Sequence, residues 1–564
     1  MMFVHRMTAS ITLSLVLLAG AGQAAAPEGG DSLAPDVTLV LVIVVDQLRA
    51  DMIEDNLGTL GAGGFRRIRD HGVVYRNAYM AFSPTSTGPG HATLATGALP
   101  PVHGIPGNSW LDRSSGDKVY CVGDPGHQLL GISTKWNDGT SPAPLKAETF
   151  ADVIQAAAPD SARVLALAGK DRSGILLAGH RGKAVWYVRR QHRYVSSDYY
   201  FSELPGWAST FNNEAMTNLG QAVWVLSRPA GEYHFADADD QPWERDYKGL
   251  GRVFPHRLQG TRDVGAAFRF LPQSDEAIVE LAERAVVAEG LGRGPQTDVL
   301  VLALSATDYV GHAFGPDSLE WEDNLYRLDG LLSRLLTWID RHVGLDHTMV
   351  ALSSDHGIPS APEYLSRHGE PAGRVEVPGM VAGLRDFLID RFDLDGDPLL
   401  GSRMPGIYLN PQVFKAAGVD MTTAENSSAD YLSGVEGVEM ALTRASLSTG
   451  HVPATVEARR VAAGYDPDRS GDLVVVQRKG WYLDQDPHYY AATHGSPYDY
   501  DAHVPMMFLA PGVHSQVVDR PVGTEDFAPT ITGYLGLEPP AQAHGVALPE
   551  LAMPGSASPY NSSH

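Results

Sequence analysis

The sequence predicts an α/β protein with a largely parallel central sheet, helices on both faces, and inserted cap segments. Three observations predict it. Residues 37–45 (VTLVLVIVV), 298–304 (DVLVLAL) and 348–352 (TMVAL) are continuous apolar runs without polar alternation, the pattern of strands buried on both faces. Between the last two, Leu325, Leu328, Leu332, Leu335 and Ile339 recur at three- and four-residue spacing ahead of Gly344, which predicts a helix with one apolar stripe and a glycine stop. Strand, helix, strand is the unit of a parallel sheet. A fourth apolar run, 506–510 (MMFLA), predicts a further strand.

Each of the first three strands delivers an aspartate at or just past its end: Asp46, Asp308 and Asp355. Ligand sites of open α/β sheets lie outside the carboxyl ends of the strands. Three carboxylates arriving there repel one another and are costly to bury unless cations neutralise them. His312 stands four residues after Asp308, which unites the pair if the stretch is helical. His356 follows Asp355, and His494-Gly495-Ser496 lies in a loop ahead of the fourth strand. Carboxylate and imidazole donors suit zinc, with manganese or iron less well matched.

The chain has 564 residues, 43 of them basic and 67 acidic, for a formal net charge of −24. That field repels phosphate backbones and excludes nucleic-acid binding through a general basic surface. With 43% hydrophobic and 20% charged residues, the composition is that of a globular protein and excludes disorder as the main state. Cys121 is the sole cysteine, so no intramolecular disulfide and no cysteine-based zinc site exist; it reads as a small core residue.

At the N-terminus His5 and Arg6 precede the apolar run 11–18, and small residues follow to Ala26. This is the layout of a secretory signal, with Ala24 and Ala26 fitting an A-x-A cleavage site. The run is shorter than the ~20 residues a spanning helix needs. A signal peptide over 1–26, a periplasmic or secreted product and no stable membrane anchor are expected. Residues 27–558 are expected to form one catalytic domain, with insertions at about 110–297 and 359–487, and 559–564 a polar tail.

The stretch from Pro84 to Trp110 (PTSTGPGHATLATGALPPVHGIPGNSW) is rich in hydroxyls and glycines. Thr87 opens a Gly88-Pro89-Gly90 turn. Its hydroxyl reads either as a helix cap or as a nucleophile exposed where backbone N–H groups favour anions. His91 and His103 read as residues packing this segment. Asp393 to Asp397 and Asp466 to Asp472 hint at calcium loops but carry Met404 and Gln477 where the twelfth-position glutamate belongs. Aromatic pairs such as Trp186-Tyr187 read as core of the first insertion.

The run TGPGHATLATGALPPVHGIPGN resembles the nucleophile region of the alkaline phosphatase superfamily, in its phosphodiesterase/nucleotide-pyrophosphatase branch. There a threonine is followed by a T-G-x-x-P-x-x-H-G-I block and then an asparagine, the places held by Thr87 and Asn108. Asp46, Asp308, His312, Asp355, His356 and His494 fall in that family's metal-ligand order. Lys170-Asp171-Arg172 is similar to the Lys-x-Arg pair of PafA-type alkaline phosphatases, phosphomonoesterases of this branch.

The resemblance implies an alkaline-phosphatase-like fold and two zinc ions. One would be held by Asp46, Asp355, His356 and the Thr87 oxygen, the other by Asp308, His312 and His494. It implies Thr87 as nucleophile through a phosphothreonine intermediate, with Asn108, Lys170 and Arg172 on the non-bridging phosphate oxygens. A formal count favours monoesters. Two Zn²⁺ cancel three aspartates and a threonine alkoxide, and Lys170 with Arg172 then match a phosphate dianion. Small-molecule phosphate esters of broad range are the expected substrates and a monomer the expected state, with a nucleotide phosphodiesterase using the same metals as the alternative.

Overall fold

The computed structural model describes residues 36–552, apart from residues 160, 238, 487 and 488. The chain divides into two units, Met1–Leu33 and Ala34–His564. The predicted signal segment 1–26 and polar tail 559–564 lie outside the described residues.

Among the described residues the main sheet has ten strands: β1 (Leu39–Val45), β2 (Val73–Tyr79), β3 (Val164–Ala168), β4 (Lys183–Val188), β5 (Arg193–Val195), β6 (Asp298–Leu304), β7 (Thr348–Ser353), β8 (His503–Leu509), β9 (Gln516–Val518) and β10 (Val522–Gly523). Their order is β9-β2-β8-β7-β1-β6-β3-β4-β5, with β10 also on β2. The central strands β7, β1, β6, β3 and β4 are mutually parallel.

Every residue of β1, β6 and β7 is buried. Alternate residues of β1 serve two cores. Leu39, Leu41, Ile43 and Val45 join one apolar cluster, and Val40, Val42 and Val44 join the other. The first core is capped by helices Gln273–Glu289 and Leu319–His342, the second by Thr87–Thr96, Asp171–Ala178 and Phe527–Tyr534. Each such side chain contributes about 1.5–3 kcal/mol by leaving water, which is why the strand needs no polar face. Helix Leu319–His342 starts where Ser318 Oγ accepts from Trp321 N–H at 3.1 Å. It stops where Gly344, at φ 100°, donates its N–H back to the Ile339 carbonyl at 3.1 Å.

Two features add to the sequence reading. The fourth strand runs antiparallel to its neighbour β7. The loop carrying His494 therefore precedes β8 yet arrives at the sheet edge that the loops after β1, β6 and β7 reach. The stretch 110–297 also supplies β3, β4 and β5 to the main sheet. Trp186 and Tyr187 are neighbours on β4 and enter opposite cores. Residues 359–487 contain a separate four-stranded sheet (Leu399–Arg403, Gly406–Leu409, Val438–Thr443 and Leu473–Gln477) with its own apolar core. Cys121 is buried as expected, and burial pushes its thiol up to about 12. Among the described residues no helix is long and apolar enough to cross a membrane.

Candidate active site

The ends of β1, β6 and β7 place their aspartates together. Asp46 closes β1, its N–H still bonded to the Leu304 carbonyl of β6 at 2.9 Å. Asp308 lies in the first turn of helix Ala306–Phe314, which carries His312 one turn later. His312 Nε2 is 3.2 Å from Asp308 Oδ1, and His494 Nε2 is 3.7 Å from the same oxygen. His356 Nε2 lies 3.5 Å from both Asp46 Oδ1 and Asp355 Oδ2.

All three histidines are oriented alike. The Nδ1 atoms of His312, His356 and His494 lie 2.9, 3.0 and 2.7 Å from the carbonyls of Ala492, Gly357 and Thr85. A carbonyl only accepts, so each Nδ1 is the protonated donor and each Nε2 turns a lone pair inward, the tautomer of a metal ligand. Ligand atoms of Asp308, His312 and His494 fall within 4.8 Å of one another, as do those of Asp46, Asp308 and His356. Asp308 is thus shared between the two groups. Asp46 Oδ1 and His356 Nε2 are buried without a hydrogen-bond partner. Burying such groups unpaired costs several kcal/mol, so this donor set fits divalent cations of the zinc type.

The charges bear this out. Burial, and then the neighbouring Asp355 charge, hold the Asp46 carboxyl well above the usual carboxylate range. Burial acts the same way on Asp308, but His312 and Lys170 outweigh it and hold that carboxyl well below the range. Burial and the His356 ring keep His494 well below the ordinary imidazole value.

Thr87 is the first residue of helix Thr87–Thr96 and caps nothing; the capping position belongs to Ser86. Gly88, Pro89 and Gly90 form the first helical turn rather than a separate one, where proline is tolerated. Gly90 is required by contact: a Cβ there would stand 2.1 Å from the Asp355 carbonyl oxygen. Thr87 Oγ1 accepts from Arg172 Nη2 at 3.2 Å. Asn108 Oδ1 accepts the Gly88 N–H at 2.7 Å, which leaves its NH₂ as the outward donor.

Lys170 and Arg172 sit at the start of helix Asp171–Ala178. Asp171 braces the turn, accepting from Tyr120 Oη at 2.6 Å and Gly139 N–H at 2.7 Å. Lys170 Nζ lies 2.6 Å from Asp308 Oδ2 and 2.5 Å from Asp46 Oδ2. Lys170 thus lies within ion-pair distance of two buried acids.

Sequence reasoning missed several supporting residues. Gln47, at φ 67°, donates its N–H to Asp355 Oδ1 at 3.1 Å and its Nε2 to Asp308 Oδ1 at 2.9 Å. His91 is more than packing, because its Nδ1 lies 3.0 Å from Asp355 Oδ2 and 2.9 Å from the Thr87 carbonyl. Asp501 holds the His494 loop through Gly495 and Ser496 N–H at 3.1 and 2.8 Å. These pairings are 261 or more positions apart for Gln47 and His91 with Asp308 and Asp355, or fall in a loop without periodicity; the positive φ at Gln47 has no residue-type signal. His103 is the packing residue expected, bonded to Thr93 Oγ1 at 3.1 Å. The Asp466 loop is closed by its own turn, Asp468 N–H to Asp466 Oδ1 at 2.8 Å. Neither acidic loop joins a metal-competent group among the described residues.

Thr87, Asn108, Lys170, Arg172, Asp308, His312 and His494 all line one cleft of about 690 Å³.

A family model described as type I phosphodiesterase / nucleotide pyrophosphatase matches residues 40–497. The chain is 31% identical over 518 residues to alkaline phosphatase PhoV of Synechococcus elongatus, covering 91% of this chain and 92% of that one. It is 29% identical over 525 residues to alkaline phosphatase PafA of Elizabethkingia meningoseptica, covering 92% and 95%. The crystal structure of wild-type PafA matches with a TM-score of 0.85 at 28% identity, over 92% of this chain and 98% of that one.

Proposed function

Since the chain belongs to the type I phosphodiesterase / nucleotide pyrophosphatase family of the alkaline phosphatase superfamily, we propose that it is an exported, two-zinc alkaline phosphatase of broad range that hydrolyses phosphate monoesters through a phosphothreonine intermediate. The observation that carries the reading is the uncapped Thr87 hydroxyl, 3.2 Å from the Arg172 guanidinium, in one cleft with the inward-facing Asp308, His312 and His494.

Asp46, Asp355 and His356, with Thr87, would hold one ion, and Asp308, His312 and His494 the other. Bound zinc would supply Lewis-acid charge that ionises the threonine and steadies the leaving oxygen. Thr87 Oγ1 attacks phosphorus as the bond to the ester oxygen breaks, leaving the phosphoryl group on Thr87. Arg172 and the free Asn108 NH₂ are placed to donate to non-bridging oxygens, where charge builds in the transition state. Water then cleaves the phosphothreonine, releases phosphate and restores the hydroxyl. Lys170 adds a second positive charge beside the same centre, favouring a dianionic monoester over a singly charged diester.

The test is zinc-restored hydrolysis of p-nitrophenyl phosphate beside bis-p-nitrophenyl phosphate by wild type, Thr87→Ala and Lys170→Ala. The reading requires a strong monoester preference, a nearly dead Thr87→Ala, and a Lys170→Ala whose loss falls mainly on the monoester. A diester preference indifferent to Lys170 would make the protein a phosphodiesterase.

A further inference from the structure

The charges of the cleft are lopsided. In a chain of net charge −24, its lining holds Lys118, Lys170, Arg172, Arg269, Arg403 and Arg469 against a single carboxylate, Asp308. Lys170 is committed to Asp46 and Asp308, and Arg172 reaches Thr87. Arg469 is spent on the carbonyls of Gly104 and Pro144.

Arg269 is different. Its guanidinium lies over the Tyr309 ring, 4.5 Å from the centroid, and Nη1 donates to Tyr309 Oη at 2.7 Å. Its Nε is buried without a hydrogen-bond partner, and no carboxylate pairs with it among the described residues. Around it the aromatic rings are continuous. Tyr309 packs on Phe270 (centroids 5.2 Å apart), Phe270 stacks on Tyr247 (4.0 Å), and Tyr247 Oη meets Tyr489 Oη at 2.9 Å. Lys170 Nζ lies over the same Tyr309 ring at 5.0 Å. One ring therefore spaces Arg269 from the lysine beside the reacting centre. A half-buried guanidinium cannot shed its charge, and a fixed cation with open donors in a water-restricted wall is a receptor for an anion.

We infer that Arg269 receives a second anionic group on the leaving side of the substrate, so that the preferred substrates are phosphate monoesters whose alcohol or phenol carries a further carboxylate or phosphate about one aromatic ring away. The inference rests on the phosphomonoesterase reading and deepens it. Arg269 acts as a specificity determinant and takes no part in bond breaking.

The experiment compares kcat/KM for phenyl phosphate and 4-carboxyphenyl phosphate in zinc-loaded wild type, Arg269→Gln and Arg269→Lys. Taking each variant relative to wild type cancels the intrinsic reactivities of the two esters. Arg269→Gln is expected to lower the carboxylated ester about tenfold more than phenyl phosphate, the size of one lost charge-assisted hydrogen bond, and Arg269→Lys to recover part of the difference. In wild type, raising salt from low to physiological ionic strength should shrink the preference, a readout that needs no variant. Equal losses on both esters would make Arg269 a brace for Tyr309 and overturn the inference, as would no change on either. Failure of wild type to hydrolyse phenyl phosphate would instead overturn the phosphatase reading, and the inference with it.

Discussion

Two regions of this molecule bury carboxylates beside histidine, and they solve the problem in opposite ways. At the strand ends, Asp46, Asp308 and Asp355 meet His312, His356 and His494, with Asp308, His312 and His494 lining an open cleft and Lys170 beside Asp46 and Asp308. Elsewhere Glu244 and Glu320 are buried with His256, whose Nε2 lies 3.1 Å from Glu320 Oε1. No lysine or arginine pairs with these two acids among the described residues. There burial, with Glu320 adding its charge, pushes the Glu244 carboxyl up to about 9, and burial holds Glu320 well above the usual range. Burial also lowers His256 to about 4. In the second cluster burial favours the protonated form of both acids, as it does for Asp46 in the first, whereas neighbouring cations favour the ionised form of Asp308. Buried acids by themselves therefore do not mark a reactive centre. Opposing cations, inward imidazole lone pairs and an open cleft set the strand-end group apart.

The largest test of this contrast is Asp308→Asn against Glu320→Gln. Asp308 is shared by both ligand groups, so its amide variant should lose bound zinc, measured by elemental analysis, and about 10³-fold or more of its activity. Glu320→Gln should keep its zinc; a loss of metal there would erase the contrast. Next in size, stripping metal with a chelator should lower the melting temperature, and zinc should restore it in a concentration-dependent way. A melting temperature indifferent to zinc would count against a built site. Gln47→Ala removes the donor to Asp308 Oδ1 and should weaken zinc affinity about 10–100-fold, read by chelator competition.

The smallest effect is one of pH. Glu244 carries a folded value of about 9 against an ordinary 4.5. Its stabilising contribution is complete below about pH 4.5 and is lost as pH rises toward 9, because the unfolded chain gives up a proton that the folded chain retains. Glu244→Gln should therefore raise the melting temperature more at pH 9 than at pH 5, by a few degrees. An equal shift at both values would mean that Glu244 is not held protonated.

Much of the contrast could be read before any coordinates. Strands buried on both faces write themselves as unbroken apolar runs, so β1, β6 and β7, with the aspartates ending them, stand out in the sequence. Ligand pairs such as Asp308 with His312 are local and share a helix turn. What could not be read depends on partners far along the chain. Trp186 and Tyr187 read together as core of the first insertion, because a window does not show that the two faces of one strand enter different cores. The direction of β8 is likewise set by pairing with β2 and β7, not by MMFLA itself. His91 looked inert because the acid it meets, Asp355, belongs to a strand that follows long afterwards. The buried acids Glu244 and Glu320 gave no signal either, since isolated glutamates in a helix or loop look solvated until packing encloses them.

The reversed course of β8 has a consequence for the chain as a polymer. It lets a loop near the end of the described residues bring His494 to a group whose other members, Asp308 and His312, sit mid-chain, while Asp46, in the group that shares Asp308, stands near the beginning. Ions bound in the two groups would together pin segments from both ends of the fold, closing loops whose entropy cost grows only slowly with their length. Such a bond would act as a removable staple: a chain cut short before His494 would keep much of its parallel sheet and the Asp46, Asp308 and His356 group, yet lose one of the three members of the other group, so weakened uptake of one ion would report the missing segment.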